Sequence, residues 1–237
     1  MNRLPLLIIS VMVCSCTGKQ GTQSRVHPDS INHVVKEYYS QDGRLISKVT
    51  LLNGIKDGPA YTYYKDGKLN GVAHYVKGQK EGMEKIFHPT GELYQERTFY
   101  KDENHGVEKK YYKSGQLMSQ VSYRFSAPGT DLVELTQYGD TIRTYPDLAF
   151  RLKRNAQGQV LLEVSFSNLS IDAKYYLGRL VDGKFFDRYA KPMPVKNGVG
   201  QCVLGNPTKG QVFYVVGQTT TDLHSPYVIE RKYVFSR

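Results

Sequence analysis

The side chains able to do chemistry are scattered along this chain. Six histidines, His27, His33, His74, His88, His105 and His224, show no metal-ligand spacing, and neither a Gly-x-Ser-x-Gly elbow nor a phosphate-binding glycine loop is present. His74, His88 and Glu96 would approach a metal only if a sheet set them on one face, and a solvated pair is the commoner outcome. The carboxylates Glu163, Asp187, Asp222 and Glu230 would form an acid–base couple only if folding joined two of them, and their spacing gives no reason for it. Cys202 sits in the apolar run Gln201-Cys202-Val203-Leu204, the setting of a buried hydrophobe rather than a nucleophile. The expectation is a non-enzyme without cofactor or metal. The net charge of +10 is spread evenly: residues 36–125 hold 15 Lys and Arg against 11 Asp and Glu, and residues 126–237 hold 14 against 10. With no basic tail or stripe, nucleic acid is not an expected partner.

The elements that would position these residues follow from a repeat. Gly43, Gly67, Gly91 and Gly115 are 24 residues apart, as are Leu45, Leu69, Leu93 and Leu117, and the aromatics Tyr39, Tyr63, Phe87 and Tyr111. A second glycine series, Gly58, Gly82 and Gly106, keeps the same interval. A period of this size marks an array whose units bury their apolar faces only against their neighbours. Within each unit Asp42-Gly43, Asp66-Gly67, Thr90-Gly91 or Ser114-Gly115 separates two alternating runs, which predicts a β-hairpin with a type I′ turn, positive φ at both central residues. Period-two alternation then sets the Leu45, Val49 and Leu51 columns and the Tyr39 series on one face, the expected core. Tyr64, His88, Tyr94, Tyr100 and Tyr112 fall on the other, a candidate binding platform for a glycan, lipid head group or peptide. Gly54 to Gly58 and Gly78 to Gly82 read as return loops, Asp102 replaces the first glycine in the third, and Ser126-Ala127-Pro128-Gly129 breaks the fourth. Gly139 stays in phase, predicting a degenerate fifth hairpin as a cap through Tyr145.

The pattern Tyr-Tyr-x-x-Gly-x-Leu, a downstream aromatic, and Lys-x-Gly-x-x-x-Gly resembles the MORN-repeat variant of bacterial YwqK-type proteins, often described as antitoxin-like. The resemblance covers the four units. It implies a twisted single-layer sheet of hairpins with an interaction role and no catalysis.

The N-terminus predicts an address. Met1-Asn2-Arg3 is positive, Leu4 to Val13 is apolar but too short to span a membrane, and Val13-Cys14-Ser15-Cys16 resembles a bacterial lipobox. Cys16 follows the small Ser15 and is the expected lipidation site; Cys14 follows the bulkier Val13. Several acyl chains together would anchor stably where one would not. Cys202 is then left without a disulfide partner, so stability must come from packing. Thr17 is not the aspartate that commonly retains lipoproteins in the inner membrane, which favours the outer membrane by analogy.

The expected division is a signal peptide at 1–15, a flexible tether at 16–34, hairpin repeats at 35–146 and a second domain at 147–237. Seven short strands, near 148–154, 159–167, 173–181, 184–189, 199–204, 211–219 and 226–236, suggest an immunoglobulin-like β-sandwich in an all-β protein. The leading functional expectation is a membrane-anchored binding or scaffold lipoprotein of the cell envelope, its partner an envelope protein, peptide or glycan. An immunity protein against an envelope-acting toxin and a glycan-acting enzyme are the alternatives.

Overall fold

The computed structural model describes residues 24–25, 33–168 and 172–236. The signal peptide, Cys16 and most of the tether lie outside the described residues. Every regular element among the described residues is a strand, and every named strand pairing is antiparallel. The repeats form one open sheet of 14 strands whose main path runs in chain order from Ser24–Arg25 to Thr141–Ile142.

Each repeat is a hairpin, but its two turns exchange the roles expected of them. At the glycine end, Ser40, Tyr64, His88, Tyr112 and Thr136 each donate N–H to the carbonyl four residues on, and the glycine three residues on donates back to them. Gly43, Gly67, Gly91, Gly115 and Gly139 have positive φ there, whereas the residues before them do not. This is a type I turn closed by a glycine bulge, not the expected type I′ turn. Only one position must be left-handed, so β-branched Thr90 can precede its glycine without strain. The two-residue turns with positive φ at both positions lie at the opposite end, at Asn53-Gly54, Lys77-Gly78, Lys101-Asp102 and Phe125-Ser126. The supposed return loops are thus mostly strand, with Gly54, Gly78 and Asp102 in the turns themselves and Gly58 and Gly82 at irregularities in the pairing. The fourth is not broken, since Phe125-Ser126 joins Arg124 to Ala127 in register.

The bulge also changes which side chains share a face. Register shifts fall between Tyr38 and Tyr39, Ile86 and Phe87, and Lys110 and Tyr111. The Tyr39 and Tyr111 hydroxyls consequently reach Glu37 and Glu96, which pair with Lys48 and Lys109 on the face opposite Val49, not on the core face expected from simple alternation. On the Val49 face burial is real but largely polar. Val49, Phe99 and Val121 are buried there, and so are Gln95, Glu108, Lys110, Ser119 and Glu134. Gln95, Lys110, Ser119 and Glu134 are successive cross-strand partners and form one row. A single layer has no second sheet to bury aliphatic columns against, so ion pairs and hydrogen bonds fill the face instead.

The fifth hairpin forms, with Leu135 opposite Thr141 and Glu134 opposite Ile142. Beyond it, two four-stranded antiparallel sheets face each other across a shared core. One is ordered Leu148–Arg154, Val160–Phe166, Val199–Gly205 and Val195–Lys196, and the other Lys191–Pro192, Lys174–Leu177, Val212–Thr220 and Pro226–Val234. Leu162, Val164 and Phe166 from the first meet Tyr175, Val215 and Ile229 from the second. Phe166 packs on Tyr175 with centroids 5.6 Å apart, and the Tyr175 hydroxyl accepts from Phe166 N and donates to Gly198 O. The expected strand at 184–189 is absent. Asp182-Gly183 closes a tight turn in which Val181 and Phe185 make only an isolated bridge, after which the chain turns again at Asp187.

Candidate interaction surface

The five aromatic positions expected to form a platform divide into two sets. Tyr64 donates to Phe87 O at 2.6 Å and Tyr112 to Leu135 O at 2.7 Å, while His88 Nε2 lies 3.2 Å from Tyr111 O. Each thus reaches the carbonyl 23 residues ahead, which is the end of the outgoing strand of the next hairpin. These three side chains are half-buried staples between units, with the Tyr64 and Tyr112 hydroxyls and His88 Nε2 engaged within the sheet. Tyr94 stands edge-on to His88 at 4.9 Å and supports it. Tyr100 differs: 44% exposed, it groups with His105 and Phe125 at the Phe125-Ser126 turn.

The turns add a second set of ties between units. Gly78 N donates to Lys56 O, Asp102 N to Lys80 O and Ser126 N to Asn104 O, at 2.7 to 3.0 Å. The Asp57 and Glu81 carboxylates accept from the backbone N–H of Lys77 and Lys101. On the Val49 face, Glu84 holds Lys80 at 2.6 Å and Arg97 at 2.5 Å, with both cations over the Phe99 ring. A hollow of about 220 Å³ opens beside them over Ala60, Gly71 and Ala73, where the column carries small side chains.

The supposed chemical groups are dispersed. Glu163 pairs with Lys153 at 2.9 Å and Gln201, Glu230 accepts from Leu180 N at 2.6 Å, and Asp187 accepts from Tyr189 N. Asp222 lines a separate small hollow with Tyr145 and Asn168. Each of the first three is thereby committed to its own local partner. Glu96 accepts from Tyr111, and burial, with the Glu96 carboxylate beside it, pushes the Tyr111 phenol up to about 12. Among the described residues no group of three or more His, Cys, Asp or Glu is placed to hold a metal ion. Cys202 is partly buried against the core, and burial pushes its thiol up, the opposite of nucleophile activation.

What sequence reasoning missed is the contact between the repeats and the C-terminal sheets. The turn following Thr220 lies on the polar row: Ser225 and Ser119 hydroxyls meet at 3.0 Å, Thr221 donates to Glu134 at 2.6 Å, and Lys110 donates to His224 O. Burial holds the Lys110 ammonium below its usual value despite Glu108 and Glu134 nearby. A second tie runs through Lys184 to Asp131 at 2.8 Å, Arg124 to Asp182 at 2.6 Å and Arg188 to Glu103 at 2.7 Å. Between these ion pairs lies a cleft of about 450 Å³ lined by Arg124, Phe125, Val181, Phe186, Arg188 and Tyr189, with Glu103 and Asp187 among its acids. The partners are 53 to 85 residues apart, beyond any local signal.

Residues 56–77, 80–102 and 104–124 match the family of the MORN repeat variant, covering the second to fourth hairpins. A comparison with curated proteins finds no match.

Proposed function

We propose that the chain is a non-catalytic binding or scaffold protein of the bacterial cell envelope, held to the membrane through lipid on Cys16, with the repeat sheet as an interaction surface. The observation that carries the reading is the periodic stapling of the sheet. Three consecutive units match a repeat that commonly mediates binding, and their half-buried aromatics are spent on locking one unit to the next. Such a lattice keeps its surface in a fixed shape without a partner, which lowers the ordering cost of binding. The dispersal of the carboxylates into separate local contacts supports a surface that holds rather than transforms. The lipobox-like Val13-Cys14-Ser15-Cys16 supports the anchor.

The test is fractionation and mass spectrometry of the full chain made in a bacterial host. The mature N-terminus is expected at Cys16 with acyl chains, in the membrane fraction, and Cys16→Ala should release the protein. An unmodified Cys16 in a soluble mature chain overturns the anchoring. Cross-linking in the same cells should capture an envelope component on the repeats, in amounts that fall when the sheet is destabilised.

A further inference from the structure

We propose that the cleft between the fourth hairpin and the 181–190 segment is a binding site for a neutral saccharide. The inference goes beyond the anchored-scaffold reading and stands without it, since it uses only the cleft.

The cleft has two exposed aromatic rings at its mouth. Tyr189 is 87% exposed and Phe125 is 40% exposed, each far above what a side chain serving only the core would show. Tyr189 is nonetheless presented on a fixed turn. The Asp187 carboxylate accepts from Tyr189 N at 2.9 Å, and Ala190 N donates to Asp187 O at 3.0 Å. Phe186 at the base is held edge-on against Tyr176 at 4.6 Å. An aromatic face is electron-rich, and the C–H edge of a pyranose ring is weakly positive, so an exposed, pre-positioned ring is a stacking surface for sugar.

The polar lining decides between ligand classes. Its charged members are Arg124, Arg188, Glu103 and Asp187, two of each sign, so the cleft offers neither an anion nor a cation a net attraction. The guanidiniums are oriented by Asp182 and Glu103, and Arg188 also donates to Phe125 O. Planar donors and carboxylate acceptors fixed side by side suit hydroxyl groups, each of which both donates and accepts.

An extended peptide would need a run of free backbone groups to pair with, and several of those in and beside the wall are already paired. Phe186 N donates to Pro128 O, Thr130 N to Lys184 O, Gly129 N to Ser122 O, and Val181 and Phe185 bond each other. Recognition then falls mainly on side chains and rings, which favours a polyol. The volume of about 450 Å³ falls within the range of small-ligand sites, about 300–1,000 Å³.

The test is calorimetric titration of the full chain with four neutral tetrasaccharides: β-linked glucose, α-linked glucose, β-linked N-acetylglucosamine and β-linked mannose. At least one is expected to bind with a dissociation constant in the micromolar to millimolar range. Tyr189→Ala should weaken it about tenfold or more, and Tyr189→Phe should keep it within about twofold, because the ring and not the hydroxyl does the stacking. Tyr189 touches little of the fold, so both variants should keep the parental circular dichroism. No heat from any of the four sugars at millimolar concentration overturns the proposal. So does binding that Tyr189→Ala leaves unchanged, or a cleft that takes an unstructured peptide in place of sugar. None of these outcomes bears on acylation of Cys16, so the two readings fail separately.

Discussion

At the scale of single residues, the repeats are held by groups that serve the next unit rather than their own. Tyr112 is the clearest case, its hydroxyl satisfying the carbonyl of Leu135 in the fifth hairpin. Tyr112→Phe keeps the ring and deletes the donor, so it should cost about 1 kcal/mol, up to about 3 if Leu135 O stays buried and unpaired. Hydrogen exchange should show the loss first at residues 133–142, and uniform protection there would refute the staple. In the C-terminal core the constraint is steric. A Cβ on Gly217 would stand 2.7 Å from Leu148 Cδ2 and 2.8 Å from Phe166 Cζ, and one on Gly200 would stand 2.5 Å from Tyr175 Cδ2. Gly217→Ala should therefore destabilise by about 1–3 kcal/mol in urea unfolding, although glycine-to-alanine changes in strands are ordinarily mild or favourable. Tyr64, His88 and Tyr112 stand 24 residues apart, and from the sequence they were expected on one face as a binding platform. Their role was hidden because periodicity reports sameness of surroundings, and the surroundings include a carbonyl from a strand 23 residues away.

At the scale of elements, the 24-residue interval was fully legible: hairpins, their order and the in-phase fifth unit all follow from glycine and leucine spacing. Turn type was not, because Asp-Gly satisfies both a type I′ turn and a type I turn with a glycine bulge, although β-branched Thr90 suits only the second. Counting left-handed positions settles it, one at the glycine end and two at the other. Lys77 holds φ of 49° in a two-residue turn where asparagine is better tolerated. Its backbone N–H, not its side chain, makes the bond to Asp57. Lys77→Asn should raise stability by about 0.5–1 kcal/mol, seen as a higher urea midpoint with unchanged slope; Gly67→Ala, at φ of 84° with open space around the Cβ, should lower it by about 1–2 kcal/mol purely through backbone strain. Equal responses at both sites would contradict the assignment of turns.

For the whole molecule, the decisive contacts join parts of the chain that carry no shared pattern. Burial alone would push the Asp131 carboxyl up, but hydrogen bonds from Lys184 and Ser122 together hold it below the ordinary aspartate value. A carboxylate whose folded pKa is depressed contributes stability above its unfolded value and loses it as pH falls through the folded one. The tie between the fourth hairpin and the 181–190 segment should thus loosen below about pH 4. In Asp131→Asn that acid-dependent part should vanish, so its urea midpoint should fall less steeply with pH than the parent's. Parallel slopes would mean that Asp131 does not couple the two regions. The end of the period was readable in the sequence, yet the contacts that tie the last hairpins to the C-terminal sheets were not, because Lys110 with His224 and Arg188 with Glu103 obey no spacing rule.

The reach of each staple to the carbonyl 23 residues on has an evolutionary corollary. A tandem duplication of one unit would bring along both the donor for its successor and the acceptor for its predecessor, so the ribbon can grow by copying without a compensating mutation elsewhere. Deletion of a whole unit would rejoin equivalent ends in the same way. The constraint falls at the far terminus, where Ser119, Lys110 and Glu134 must meet the turn at 221–225. Growth or shrinkage of the gene is therefore cheapest toward the N-terminal side, and the last two hairpins are the ones lineages should keep.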